Sequence, residues 1–255
     1  MTSPELLELF DRQERIQAHF PGVERQTFPE LVRYVRPGPG TNYVLYSRLQ
    51  PETADPTIGT QINEMQAFGG PISWKVYSHD LPADLADRLE RHGFVSDTPA
   101  PTLILDLSTD STSLVSSGGA DIRRLSDSSQ LIDVVAVEEQ VWHEDFAWVI
   151  DRFSLEMEQP GFIEIFVAYV DETPASTGWI HFQPGSQFAS LWGGSTLEAH
   201  RGKGLYTAIL AERVHAARLR GRRYVTVEAE PASQRILLHH GFEELSMTRT
   251  FTWSL

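Results

Sequence analysis

The chain is 255 residues long, room for one large or two modest domains, and its 41% hydrophobic content suffices for a buried core. It has no cysteine, which excludes a disulfide framework, a thiolate metal site and a cysteine nucleophile. A net charge of −14 argues against a nucleic-acid surface; it suits solubility, or a cationic substrate such as an amine.

The first twenty residues mix acidic and basic side chains without an apolar h-region, and no run of about 20 apolar residues occurs anywhere. The expectation is a cytoplasmic protein without a membrane span. Residues 4–18 read as a helix, with Ser3 as N-cap and Pro4 in the first turn. Pro37-Gly38-Pro39-Gly40 is a breaker. A strand at 43–49, a helix at 57–68, a strand at 72–77, a helix at 82–91 closed by Gly93-Phe94, and a strand at 102–107 follow. Residues 108–120 are rich in Ser, Thr and Gly and read as a linker, dividing the chain into domains 1–112 and 113–255.

The second half opens with a strand at 121–125, then helices at 127–140 and 144–157. Strands at 161–170, 175–182 and 188–196, joined by short turns, make an antiparallel meander. The strand–loop–helix–strand unit from 189 to 229 reads as a parallel βαβ crossover. The fold class is therefore α/β or α+β, a mixed and mostly antiparallel sheet flanked by helices.

The most informative stretch runs from Leu197 to Leu210, a turn rich in glycine and cation that opens straight into a helix. Its glycines let a ligand approach the backbone, and the first amides of the helix, with the positive end of its dipole, seat an anion such as a phosphate. The order of residues is not that of a P-loop, and Thr207 stands where a dinucleotide fingerprint needs its third glycine. The pattern present is Arg-x-x-Gly, with Arg201 and Gly204 at the fixed places. About 30 residues on, the strand Tyr224-Val225-Thr226-Val227-Glu228-Ala229 leads into a helix from Pro231, closed by Gly241-Phe242.

On the loop, the helix, the second strand and that Gly-Phe, the chain from about 120 to 255 resembles the GNAT acetyltransferases. Their loop reads [Gln/Arg]-x-x-Gly-x-[Gly/Ala]; Tyr206 departs from it at the final small position. The resemblance implies a GNAT fold and acetyl-CoA as cosubstrate, without a metal. Gly194, Ser195 and Thr196 would hold the pantetheine arm; Arg201, Gly202, Lys203, Gly204, Leu205, Tyr206 and Thr207 would hold the pyrophosphate. It further implies transfer of an acetyl group to a primary amine by direct attack in a ternary complex. The acceptor is a small molecule or a peptide, with neither nucleic acid nor membrane as partner, and a monomer and a homodimer both suit. A non-catalytic acyl-CoA-binding or regulatory module is the alternative. The order of elements in the first half, including its own Gly-Phe, echoes the second. It reads as a degenerate GNAT-like repeat whose loop position, residues 50–56, carries Glu52 and Asp55, carboxylates that would repel pyrophosphate.

The catalytic groups are less legible. Many family members carry a Tyr near the sulfur; the matching position here is Leu237. Ser233, Tyr206 and water are the candidate acids. Glu228 and Glu230 alternate along the strand and are candidate bases, although Glu230 equally suits a helix cap. Glu164, His181 and Trp192 lie on the meander and are candidates for the acceptor cleft, beside the helices near 142–157; His239-His240 sits at a helix end as a structural pair.

Overall fold

The computed structural model describes residues 3–38, 40–109, 114 and 119–254. The junction expected between 112 and 113, and most of the expected linker, lie outside these residues. By contacts the chain forms two compact units. One comprises Met1–Leu103, Ala229–Pro231 and Glu244–Leu255; the other comprises Ile104–Glu228 and Ala232–Glu243. The described residues hold seven α-helices and a mixed, mostly antiparallel set of strands.

The first unit opens with α1 (Pro4–Phe10), capped by the Ser3 hydroxyl, which accepts from the Leu6 amide at 3.2 Å. A π-helical turn at Asp11–Ile16 follows, where a longer α-helix was expected. Two strands absent from the sequence reading come next, β1 (Glu24–Thr27) and β2 (Leu31–Val35), the latter buried throughout. Burial on both faces removes the alternation by which a strand is recognised. Then come β3 (Asn42–Ser47), α2 (Ala54–Gln66), β4 (Ile72–Tyr77), α3 (Leu85–Arg91), β5 (Val95–Ser96) and β6 (Ala100–Asp106), whose residues from Ile104 on are counted with the second unit. β3 and β4 are parallel across α2, which makes a βαβ crossover. Val44, Ile58, Met65, Trp74 and Leu89 are among the apolar side chains that fill the unit's core.

The second unit contains β7 (Asp121–Arg124), α4 (Leu131–Trp142), α5 (Trp148–Met157), β8 (Ile163–Val170), β9 (Thr173–His181), β10 (Phe188–Trp192), α6 (Leu205–Leu219), β11 (Tyr224–Glu228) and α7 (Pro231–His239). β8, β9 and β10 form the expected antiparallel meander, and β7 pairs antiparallel with β8 beside it. β10 and β11 are parallel across α6. Apolar side chains of α4 and α5, with Phe153 and Trp179 edge to face at 4.9 Å, pack against β8 and β9.

The last strand, β12 (Glu243–Trp253), pairs antiparallel with β4 from Thr248↔Tyr77 to Trp253↔Ile72. Glu244–Leu255 accordingly group with the first unit, not with the second half where the sequence places them. Phe251, fully buried in the first unit's core, supplies the apolar reason.

Candidate functional site

The site is built at the carboxyl ends of β10 and β11. Their pairing runs from Phe188↔Tyr224 to Leu191↔Val227. Beyond Leu191 the backbone of the first strand bulges at Gly193 (φ 66°) and Gly194 (φ 101°), conformations that suit glycine. The chain rejoins β9 through the Ser176↔Thr196 bridge and a bond from the Thr177 amide to the Ser195 carbonyl at 2.9 Å. The Ser176 hydroxyl donates to the same carbonyl at 2.7 Å. Among the described residues, the amides of Gly193, Gly194 and Ser195 find no backbone acceptor. A strand end whose amides lack backbone acceptors can accept a polar, extended ligand.

The loop follows. Arg201 donates from Nε to the Thr196 carbonyl at 3.2 Å and so ties the loop to the end of the bulge. Gly202 (φ 72°) and Gly204 (φ 82°) both take the left-handed conformation, and a Cβ at either would meet nothing of the protein within 4 Å. No side chain caps α6, and the amides from Gly202 to Thr207 find no backbone acceptor among the described residues. Arg201, Gly202, Lys203 and Gly204 are exposed, Tyr206 and Thr207 half-buried, and Leu205 is buried in the core. Six amides, a helix N-terminus and two cations fit a pyrophosphate.

Each face of the bulge carries a buried charged side chain that the sequence reading did not single out. On the α4 face, Glu138 accepts from the Ser195 hydroxyl at 2.7 Å, from Trp142 Nε1 at 3.0 Å and from the Thr177 hydroxyl. Burial pushes its carboxyl above the usual range, and the three donors only partly offset this. On the α6 face, Arg213 is 1% exposed, and among the described residues no carboxylate pairs with it. Its Nη1 donates to the Trp192 carbonyl at 3.0 Å and, more weakly, to that of Trp179 at 3.5 Å; Nε has no partner. Desolvation lowers it to about 10, partly countered by Tyr206. An apolar helix stripe masks both residues in a sequence: Glu138 follows Val134, Val135 and Val137, and Arg213 follows Leu205 and Ile209. The only signal was a charge on an otherwise apolar face.

The ring of Tyr206 turns onto the bulge, where a Cβ on Gly194 would lie 2.9 Å from its Cε2. Glu228 is half-buried at the end of β11, one residue past the last pair with β10. Ser233 is half-buried in the first turn of α7. The sequence places Glu228 and Glu230 on one face of a strand, and the structure does not. β11 ends at Glu228 and Pro231 opens the helix, so Glu230 is an exposed residue between the two. Leu237 is fully buried. His181, also buried, meets Glu156 at 2.8 Å and stacks edge to face on Phe162, which makes it a core residue. Desolvation holds its imidazole below its usual range. Glu164 pairs with Arg220. Trp192 is exposed beside Gly193, and its cross-strand partner Trp179 lies under that glycine, whose Cβ would meet the indole at 2.3 Å. Among the described residues no cluster of three His, Asp or Glu is arranged to hold a metal.

The mixed sheet, the bulge after β10 and the glycine-rich loop that opens the crossover helix form one continuous frame. Residues 128–242 match the model of the Acetyltransferase (GNAT) family and form a GNAT acetyltransferase domain. Across nearly the whole chain the fold is similar to a GCN5-related N-acetyltransferase from Kribbella flavida, with a TM-score of 0.71, 15% identity, and 96% and 91% of the two chains covered. It is similar also to a tandem GNAT protein from the clavulanic acid biosynthesis pathway (TM-score 0.60, 12% identity, 92% and 84% covered). A third similar fold is a GCN5-related N-acetyltransferase from Sphaerobacter thermophilus (TM-score 0.58, 14% identity, 88% and 80% covered). No curated protein matches the chain in sequence.

Proposed function

We propose that the protein is an acetyl-CoA-dependent N-acyltransferase that modifies a primary amine by direct attack within a ternary complex. The observation that carries this is the run of vacant amides from Gly193 to Ser195 and from Gly202 to Thr207, joined by the Arg201–Thr196 bond. Acetyl-CoA, when bound, supplies an activated acyl group. Gly194, Ser195 and Thr196 hold the pantetheine arm along the strand end; Arg201 to Thr207 hold the pyrophosphate. In the transfer the amine nitrogen bonds to the acyl carbon, the carbon–sulfur bond breaks, and the amine loses one proton while the sulfur gains one. Glu228, at the open end of β11, takes the proton directly or through a water. Tyr206, whose ring lies on the bulge, is the better placed donor to the sulfur; Ser233 on α7 is the second. Glu230, exposed and off the strand, is left the lesser role of a second base or of a negative charge at the start of α7.

The test is calorimetric titration with acetyl-CoA, followed by an amine panel read by release of free coenzyme A thiol. Binding, thermal stabilisation and thiol release with at least one amine support the reading. Binding without thiol release favours the non-catalytic acyl-CoA module. Absence of binding defeats both.

A further inference from the structure

We propose that Arg213 is a positioning residue for acyl transfer: its guanidinium, buried behind the Gly193-Gly194 bulge, fixes the peptide plane that faces the acyl group and places a fixed positive charge behind it. The inference rests on the acyl-CoA reading above.

Three observations carry it. First, a fully buried arginine with no carboxylate is costly, so its position calls for a reason beyond packing. Apolar residues of similar length, such as Met or Leu, would fill this stripe of α6 at less cost. Second, the fold makes room for it. Gly178 on β9 has no side chain, and a Cβ there would lie 2.9 Å from the guanidinium carbon. Third, the group holds the bulge by its carbonyl. A trans peptide points its C=O and N–H in opposite directions. Nη1 holds the Trp192 carbonyl toward α6 at 3.0 Å, so the Gly193 amide, in the same plane, points away from α6 with no backbone acceptor among the described residues. Gly194 lies close by: its Cβ would stand 3.8 Å from Nη2. When an amine attacks a thioester, negative charge grows on the carbonyl oxygen and then on the sulfur. A preorganised amide with a desolvated cation behind it stabilises such charge without reorganising. The lowered value of about 10 still leaves the guanidinium charged at neutral pH.

The test uses the full chain and acetyl-CoA labelled with ¹³C at the acetyl carbonyl. Infrared difference spectra read the bound carbonyl stretch, and calorimetry reads affinity. In the wild type the stretch should move to lower frequency than in free acetyl-CoA. In Arg213→Met the affinity should stay within about threefold while the stretch returns toward the free value and kcat falls about tenfold or more, with KM little changed. Gly178→Ala, which pushes on the guanidinium from the other side, should reproduce the spectral change even if Arg213→Met folds poorly. Arg213→Lys keeps a charge that burial makes easier to lose, so its kcat should fall at alkaline pH before that of the wild type. A purely structural role predicts parallel pH profiles and an unchanged stretch. If both variants bind acetyl-CoA with the wild-type stretch, the proposal is overturned and the functional reading stands. If the wild type binds no acetyl-CoA, the functional reading fails and takes this proposal with it.

Discussion

Gly204 is where a single atom has the most leverage. Its φ of 82° suits glycine, and its Cβ direction is empty of protein. Gly204→Ala therefore carries a backbone cost of about 1 kcal/mol and little else. Gly204→Glu adds a carboxylate at the positive end of α6, in the space assigned to pyrophosphate. Acetyl-CoA affinity should fall at least about tenfold beyond the alanine variant, a difference of about 1.4 kcal/mol or more by calorimetry. Equal affinities for the two variants would remove the pyrophosphate from this loop. Glu138 makes a second residue-scale prediction, about stability. Its carboxyl is raised in the folded state by burial. A raised carboxyl stabilises the fold fully below its unfolded value and loses that contribution as pH rises through the folded value. Gln does not titrate, so the melting temperature of Glu138→Gln relative to wild type should climb from about pH 5 toward pH 8. Each 1 kcal/mol of the change corresponds to about 2–4 °C in a chain this large. A gap that stays flat with pH would show that Glu138 titrates normally.

At the scale of elements, the two βαβ crossovers are alike in architecture and opposite in what they leave open. Both following helices end in one motif. Gly93 and Gly241 have φ 87°, and the next amides, of Phe94 and Phe242, reach back to the carbonyls of Leu89 and Leu237 at 3.1 Å. At the start of α2, by contrast, the Thr53 and Ala54 amides bond to the Gln50 carbonyl, and Asp55 in the first turn pairs with Arg88. Trp74, which pairs with Val44 across β3 and β4, lies in the core and donates its indole N–H to the Ser47 hydroxyl at 3.1 Å. A loop whose amides are already bonded and which carries a carboxylate offers pyrophosphate no seat. Titration should accordingly give one acetyl-CoA per chain, and a stoichiometry of two would refute this. These contrasts also mark what a sequence reveals. The loop, the crossover and the paired Gly-Phe endings were legible because each has a local residue requirement. Glu138, Arg213 and the bulge were not, because a charge on an apolar stripe acquires its meaning only when β9 and β10 bring Gly178, Thr177 and Ser195 against it. Glu230 was misjudged because the strand period was carried past Glu228, where β11 stops.

At the scale of the molecule, the chain's order and its compact units do not coincide. The first unit is completed by residues far along the chain, since β12 pairs with β4, and Phe251 belongs to the core that contains Trp74 and Leu89. The sequence leaves the partner of this last strand unmarked, because pairing between distant strands has no local signature. Truncation makes the point testable. A chain ending at residue 243 exposes the β4 edge and removes a fully buried phenylalanine. Loss of one such side chain alone, in Phe251→Ala, should cost about 3–5 kcal/mol. The truncated chain should therefore lose amide protection across residues 31–77 in hydrogen exchange. Residues 163–181, in the meander, should keep theirs, since their partners lie within β8, β9 and β10. Retained protection in β2, β3 and β4 without the last strand would mean that residues 1–112 fold alone, as the sequence first suggested, and that the C-terminal strand is an addition to a finished core.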